Sequence, residues 1–415
     1  MKIYFQTFGC RVNQYETQAL RERVLADPSA EASSDWESAD VCVVNSCTVT
    51  AEADKDALRL IRRISRRNPR ARLVVTGCLA DRDRKALSEA APGALVVGNA
   101  DKGRIAEFIG LSVQPSSHVR GLAGRSRALV KVQDGCDGAC SYCVVPRVRR
   151  ENSSKPLAEL AAEVSGLVRT GHAEVVLCGI RLGRYAGEDV SGESADLARA
   201  LQELCRLPGD FRLRLSSLEV AELSDRLLDA AAASGGRVCP SFHLPLQSGS
   251  DAVLKRMNRP YDSTFYARRL EALRGRLPRA AVFTDIMTGF PGETEAEFRE
   301  SLEFVKAQGL RGLHVFRYSR RPGTPAASLT EQVPPEVILD RARELRGLDL
   351  ELRTAFAASA VGQMRRVAAT EGVDEGAGRD ALAEDFLTVR LGADPGPGLH
   401  EVRVTSSDGP RAFGV

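Results

Sequence analysis

Six of the ten cysteines fall into two groups of three. Cys136, Cys140 and Cys143 stand together in the run Gly135-Cys136-Asp137-Gly138-Ala139-Cys140-Ser141-Tyr142-Cys143. Cys10, Cys47 and Cys78 are spread out, each at the end of an apolar run. Three thiolates hold three irons of a 4Fe-4S cube and leave the fourth iron open to another ligand. Two such sites in one chain point to redox or radical chemistry. A zinc site asks for a fourth Cys or His nearby, and none lies within the twenty residues after Cys143. Zinc, or a purely structural role, is the alternative for the tight group.

The elements around these residues place them. Lys2–Thr7, Val41–Asn45 and Leu73–Thr76 are short β-branched runs, followed by helical stretches such as Glu16–Ala26 and Glu52–Arg67. This alternation predicts a parallel sheet. Each of Cys10, Cys47 and Cys78 comes just past the carboxyl end of a strand, the edge at which open α/β sheets bind ligands. The polar stretch Val113–Arg127 reads as a linker. Six further strands are expected at Ala128–Val132, Glu174–Leu177, Phe211–Leu215, Ser241–Leu244, Val282–Met287 and Leu313–Tyr318. Leu157–Arg169, Leu197–Leu204, Ala221–Ala233, Phe265–Arg274 and Glu295–Lys306 are the helices between them. Six β/α units predict a partial barrel rather than the closed eight, with its reactive groups at the carboxyl ends of the strands. Cys136 to Cys143 follow the first of these strands, as that requires. Pro334–Gly362 reads as a long helix leading away from the barrel, and the remainder as a small β domain. The expected architecture is therefore α/β: a parallel-sheet domain over 1–112, a partial (β/α)6 barrel over 122–333, a helical connector over 334–360 and a short β domain over 361–415.

With 415 residues, 43% of them hydrophobic and 27% charged, the chain has ordinary globular composition. No stretch approaches the ~18 apolar residues of a membrane span, and Met1-Lys2-Ile3-Tyr4-Phe5 opens directly into a strand pattern with no signal core. No membrane partner and a cytoplasmic location are expected, and in that reducing compartment short cysteine spacings favour metal over disulfides. The net charge of +3 is small but clustered. Arg59, Arg62, Arg63, Arg66, Arg67, Arg70 and Arg72 have no acid between them; Arg147 to Arg150 follow the tight cysteines; Arg317, Arg320 and Arg321 form a third group. Basic residues beside an active site suit an anionic nucleic-acid backbone, whereas a solvated helix face is the plainer reading of the first run.

Cys-x3-Cys-x2-Cys after a first barrel strand resembles the radical S-adenosylmethionine superfamily. Both cysteine groups together narrow this to the methylthiotransferases. The residues that carry the resemblance are Phe8-Gly9-Cys10 through Thr17, Val44-Asn45-Ser46-Cys47-Thr48-Val49-Thr50 and Gly77-Cys78, then His243 to Ser250, Lys255 to Arg259, Thr284 to Thr294 and Tyr318 to Thr324. It covers roughly residues 1–330. Phe8 to Thr17 and Cys47 to Thr50 are most similar to the branch acting on N6-threonylcarbamoyladenosine of tRNA, beside the anticodon.

The resemblance implies two 4Fe-4S clusters and S-adenosylmethionine. Cys136, Cys140 and Cys143 would hold the cluster that cleaves S-adenosylmethionine to a 5′-deoxyadenosyl radical. Cys10, Cys47 and Cys78 would hold the cluster that gives up sulfur. It further implies a tRNA anticodon loop as substrate, an electron donor such as flavodoxin or ferredoxin, and a sulfur source. Tyr142 is expected near the adenine, and Ser216, Ser217 and Glu219 at the height where relatives position S-adenosylmethionine, with Gln247 in a similar place. The run Gly179 to Gly183 either lets backbone approach a cofactor or is a strand-to-helix turn. His243 reads as a satisfied core residue, Cys42, Cys205 and Cys239 as buried thiols, and Cys178 as ambiguous. Relatives usually differ at Asp81, Arg147, Arg150 and Arg317. The C-terminal segment should correspond to the small RNA-binding TRAM domain, but its acidic run Glu371–Asp385 suits RNA poorly. Other substrates on the same chemistry are a different tRNA adenosine or a ribosomal-protein aspartate. A non-enzymatic iron-sulfur or zinc protein is the reading from another class.

Overall fold

The structure is a computed structural model that describes residues 1–112, 119–121, 126–189, 191–370 and 378–415. Most of the expected linker, at 113–118 and 122–125, and the acidic residues 371–377 lie outside the described residues.

The N-terminal unit alternates β1 (Lys2–Thr7), α1 (Arg11–Val24), β2 (Glu31–Ser33), β3 (Val41–Ser46), α2 (Ala51–Arg67), β4 (Arg72–Gly77), α3 (Cys78–Arg82), α4 (Arg84–Ala90) and β5 (Leu95–Val96). Its strands form one parallel sheet of order β2-β1-β3-β4-β5. Every residue of β3 is buried because helices cover both faces of the sheet, which is why Val41 to Val44 form an apolar run rather than an alternating one. Ile61 and Ile64 of α2 pack on one face, Leu20 and Val24 of α1 with Ile105 of α5 (Ile105–Phe108) on the other.

The second unit runs β6 (Arg127–Asp134), α6 (Val145–Val148), β7 (Ser153–Ser154), α7 (Leu157–Arg169), β8 (Glu174–Gly179), a small hairpin of β9 (Ala186–Glu188) and β10 (Ser194–Asp196), α8 (Leu197–Cys205), β11 (Arg212–Leu215), α9 (Asp225–Ala232), β12 (Ser241–His243), α10 (Asp251–Arg256), α11 (Ser263–Arg276), β13 (Ala281–Thr288), α12 (Glu295–Ala307) and β14 (Gly312–Arg317). The parallel strands β6, β8 and β11 pair on one side and β12, β13 and β14 on the other. Parallel bridges Leu213↔Val238 and Ser217↔His243 join the two sets into one arc of six strands. The helices bury its outer face around Leu160, Val164, Leu201, Leu228 and Leu270.

Helix α13 (Pro335–Ser359) does not lead away from the barrel. Leu345 and Leu348 join the barrel core, and the Asp349 carboxylate accepts from the Leu313 N–H at 2.6 Å, so α13 covers the last strand of the arc. An otherwise exposed β14 edge is thereby occupied. Beyond it, β15 (Met364–Ala369), β16 (Arg379–Ala383), β17 (Thr388–Leu391), β18 (His400–Asp408) and β19 (Arg411–Gly414) close a small barrel of order β15-β16-β17-β19-β18. Of its acids, Asp380 pairs with Arg390 and Asp385 with Arg365. Among the described residues no helix is long and apolar enough to cross a membrane.

A buried ionic cluster ties the small barrel to the large one. Glu174, fully buried, accepts from Arg127 at 2.7 Å, Arg212 at 2.7 Å and Arg214 at 2.8 Å. Arg212 also donates to the Leu382 carbonyl at 2.8 Å and Arg214 to that of Ala383 at 2.9 Å. Burial alone would raise the Glu174 pKa, but three guanidiniums hold it well below the usual carboxylate range. Because its folded pKa lies below the unfolded value of about 4.3, its stabilisation is present above that pH and is lost as acid protonates the folded carboxylate. Replacing Glu174 by Gln strands two buried cations, Arg212 and Arg214, and the half-buried Arg127, and should destabilise the protein by ~3–5 kcal/mol. Urea denaturation at neutral pH measures this, and the variant should lose less stability than the parent on acidification.

Candidate active site

The parallel register sets Thr7 beside Asn45 and Ser46 beside Gly77, so β1, β3 and β4 end at one edge. There Cys10 caps α1, Cys47 follows β3 and Cys78 opens α3. A Cβ on Gly9, whose φ is +90°, would lie 2.5 Å from the Cys47 Sγ, so only glycine lets the Cys10 turn close on Cys47. Asn13 fastens that turn, donating to the Phe8 carbonyl at 2.9 Å and the Ser46 carbonyl at 3.0 Å. Burial pushes the Cys10 thiol up, with Arg149 opposing and Cys78 adding to the rise. Burial likewise drives Cys47 up to about 11, and both Cys78 and Cys10 reinforce it.

The second trio follows β6. Its loop is pinned at Cys136, whose N–H donates to the Arg149 carbonyl at 3.1 Å, and at Ser141, whose N–H donates to the Met257 carbonyl at 2.9 Å. Ser141 Oγ also donates to the Arg256 carbonyl and Asn258 Nδ2 to that of Ala139, each at 2.8 Å. The Lys255 to Arg259 run is thus the cradle of the cysteine loop. Arg259 donates to the Cys140 Sγ at 3.1 Å and pairs with Glu219. The Gly138 N–H points at the Cys136 Sγ at 3.3 Å. Burial pushes Cys143 up to about 12, aided by Cys140 and Cys136.

Thiols that raise one another's pKa hold their protons unless a cation takes the sulfur charge. Among the described residues, neither trio has all three of its sulfurs within 4.8 Å of one another. Tetrahedral zinc would need sulfurs about 3.8 Å apart, so the spacing suits a larger group. Soft thiolate donors, three per site and flanked by Arg149, Arg259 and Arg181, fit an iron-sulfur cluster with an open iron.

Both trios meet one cavity of about 810 Å³. Cys10, Cys136, Cys140, Tyr142, Cys143, Gly179, Ser216, Glu219 and Gln247 all line it; Cys47 and Cys78 are buried and do not. Tyr142 packs against the apolar cluster of Val253, Met257, Phe290 and Ala326 and receives a weak bond from Arg259 at 3.4 Å. Ser216 is buried with no partner for its hydroxyl among the described residues. Gln247 has a φ of +72°, strained for a side-chain-bearing residue, and is held by pairing with β13 through its N–H to the Asp285 carbonyl at 2.9 Å. Gly179 serves the turn as well as the wall, since a Cβ there would press on Gln133 Oε1 at 3.0 Å and the Leu182 backbone at 3.1 Å.

His243 is not a core residue. It is half-buried on the cavity wall, where Ser217 holds its Nδ1 at 2.7 Å and Asp285 its Nε2 at 2.8 Å. His314 reaches the same Asp285 oxygen at 3.3 Å. Burial opposes ionisation of Asp285, but the two imidazoles bring its pKa down to about 2. Cys178 is buried on the wall and pushed up to about 12 by burial, with Cys10 adding to it. Cys42 and Cys239 are buried and Cys205 half-buried. Asp81 accepts from Asn99 Nδ2 at 2.7 Å.

Two of the basic runs each turn one arginine inward, away from any RNA backbone. Arg149 is buried and donates to Glu16 at 2.8 Å, Asp134 at 2.8 Å and Asn13 at 2.8 Å. Arg321 is buried against Asp54 and Thr48. Arg59 to Arg72 do form an exposed face along and after α2. Arg149, Arg181, Arg259 and Asp285 escaped sequence reasoning because their partners lie far away in the chain. The available signals are that Arg149 belongs to the basic run after the tight cysteines, and that Arg259 and Asp285 belong to motif runs.

Residues 2–98 match the family described as Uncharacterized protein family UPF0004, and residues 130–305 match the Radical SAM superfamily. The chain is 38% identical to the threonylcarbamoyladenosine tRNA methylthiotransferase MtaB of Chlamydia pneumoniae, over 81% of this chain and 79% of that protein. It is 36% identical to the enzyme of the same name from Bacillus subtilis, over 86% and 82%. A tRNA-2-methylthio-N(6)-dimethylallyladenosine synthase of Corynebacterium diphtheriae is 34% identical over 86% and 73%. Among solved structures, the radical S-adenosylmethionine methyltransferase TsrM of Kitasatospora setae shares the fold, with a TM-score of 0.58 at 15% identity over 88% of this chain and 77% of that one. On the strength of these relatives, and of two cysteine trios that open on a single cavity, the chain belongs to the radical S-adenosylmethionine methylthiotransferase family.

Proposed function

We propose that this protein adds a methylthio group to carbon 2 of N6-threonylcarbamoyladenosine next to the anticodon of tRNA. The observation that carries the reading is the shared cavity: Cys10 of one trio and all of Cys136, Cys140 and Cys143 of the other face the same space of about 810 Å³. When bound, the two clusters supply an electron for cleaving S-adenosylmethionine and a sulfur for transfer.

The protein's own residues hold and insulate those groups. Cys136, Cys140 and Cys143 would ligate one cluster and Cys10, Cys47 and Cys78 the other. Arg259 toward Cys140, the Gly138 N–H toward Cys136 and the Val49 N–H toward Cys47 offset sulfur charge and tune the sites. Tyr142, Gly179, Ser216, Glu219 and Gln247 would position S-adenosylmethionine; the unpartnered Ser216 hydroxyl gives that assignment a polar group to satisfy. The target base must leave its stack to enter, which a single-stranded anticodon loop allows more cheaply than a duplex. A one-electron donor such as a flavodoxin or ferredoxin, a sulfur source and a cytoplasmic setting complete the proposal.

The relative from Corynebacterium diphtheriae favours a second reading in which the base is N6-dimethylallyladenosine. Mass spectrometry of tRNA nucleosides from a deletion strain separates the two. Loss of 2-methylthio-N6-threonylcarbamoyladenosine with the dimethylallyl product intact is the expected profile; the converse, or no change, contradicts the substrate. Replacing Cys10 or Cys78 by Ala should leave 5′-deoxyadenosine formation within about twofold of the parent and abolish methylthiolation, whereas Cys140→Ala should abolish both. Single-turnover assays under anaerobic conditions read both products, and loss of cleavage in Cys10→Ala would contradict the division of roles.

A further inference from the structure

Among the described residues, the shared cavity holds one cation that no contact neutralises. Five arginines line it: Arg11, Arg181, Arg184, Arg214 and Arg259. Arg181 pairs with Glu222 and Asp137, each at 2.6 Å, and Arg184 meets Glu222 at 3.3 Å. Arg214 pairs with Glu174 at 2.8 Å, and Arg259 with Glu219. Of the five, only the Arg11 side chain makes no hydrogen bond or ion pair with any described residue.

Its surroundings do not offer one. The carboxylate nearest in charge is Glu174, already engaged by Arg127, Arg212 and Arg214. The other charged or ionisable groups acting on it are the cations Arg127 and Arg214 and the thiol of Cys178. Arg11 is the first residue of α1, which has no acidic residue in its first turn, so the helix terminus adds to the positive potential. A half-buried guanidinium of this kind is poorly solvated and poorly paired, and an incoming anion relieves both deficits.

We infer that Arg11 is the specificity-determining residue that receives a carboxylate on the target base. This rests on the threonylcarbamoyl reading above and goes one step further, to the group that recognises it. The amino-acid arm of that base ends in a carboxylate, which a guanidinium binds through two parallel N–H bonds. A dimethylallyl arm is apolar and would leave Arg11 unpaired, so the same residue selects against it. The position beside Cys10 puts the recognised arm next to the trio assigned to sulfur.

The test is a binding measurement that needs no turnover. Anticodon stem-loops carrying N6-threonylcarbamoyladenosine, its methyl ester, or plain adenosine are titrated at fixed salt against the reconstituted protein by fluorescence anisotropy. The parent should prefer the free acid over the ester by roughly tenfold or more. Arg11→Gln should bind acid and ester alike, Arg11→Lys should keep part of the preference, and affinity for S-adenosylmethionine should be unchanged in all three proteins. A preference for the acid that survives in Arg11→Gln overturns the assignment. So does a variant that loses S-adenosylmethionine affinity instead, which would give Arg11 to the cofactor's carboxylate. The acid–ester comparison on the parent involves no variant, and its absence also overturns the assignment. The tRNA nucleoside profile decides the substrate separately, so failure of the Arg11 role and failure of the substrate reading are told apart.

Discussion

The arrangement depends on Arg149 more than on any other residue. Its guanidinium holds Glu16 through two bonds at 2.8 and 2.9 Å, Asp134 at 2.8 Å and the Asn13 side chain at 2.8 Å. Its carbonyl accepts the Cys136 N–H at 3.1 Å. One buried residue therefore touches the helix that begins after Cys10, the end of the strand that precedes Cys136, and the cysteine loop itself. Lys131 joins the same Glu16 at 3.0 Å, and Lys102 also pairs with it. Burial would raise the Glu16 pKa, but this collar of cations keeps it well below the usual range. Such a network contributes less to stability than to geometry, because its charges are satisfied in one arrangement only. That arrangement brings two separately built cysteine sites to one cavity.

The opposite end of the barrel is closed by a different device. Arg212 and Arg214 reach from β11 past Glu174 to backbone carbonyls of the small C-terminal barrel. Phe386, held at a φ of +72° in the turn that joins β16 and β17, lines the shared cavity and packs edge-on against Phe283 at 5.4 Å between ring centroids. The C-terminal unit thus helps to wall the site from solvent, a role its acidic composition does not announce. An open arc of six strands needs such cover, since it lacks the mutual closure of eight.

The strand ends and the two trios were legible because apolar runs and cysteine spacings are local signals. Leu157–Arg169 is helical over the span its periodicity predicts. Helix α1 begins at Arg11 rather than Glu16 because Cys10 caps it without a side-chain hydrogen bond, leaving none of the usual capping residues to mark the start. The same local view misplaced what is settled by tertiary contact. Arg149 and Arg321 read as nucleic-acid contacts but are internal ion pairs whose partners Glu16 and Asp54 are distant in sequence. His243 read as core because its partners Ser217 and Asp285 come from neighbouring strands. Helix α13 read as an exit because nothing in its own residues reports that Asp349 bonds Leu313.

The central claim is that two independent three-cysteine sites, each suited to a cluster with an open iron, face one cavity. The direct measurement is iron content with electron paramagnetic resonance on anaerobically reconstituted protein, for the parent and for two variants that replace either whole trio by Ala. The account predicts about eight irons per chain in the parent and about four in each variant. S-Adenosylmethionine should perturb the reduced signal when Cys136, Cys140 and Cys143 are present and not when they are absent. Zinc in place of iron, or loss of all iron when either trio is removed, would contradict it.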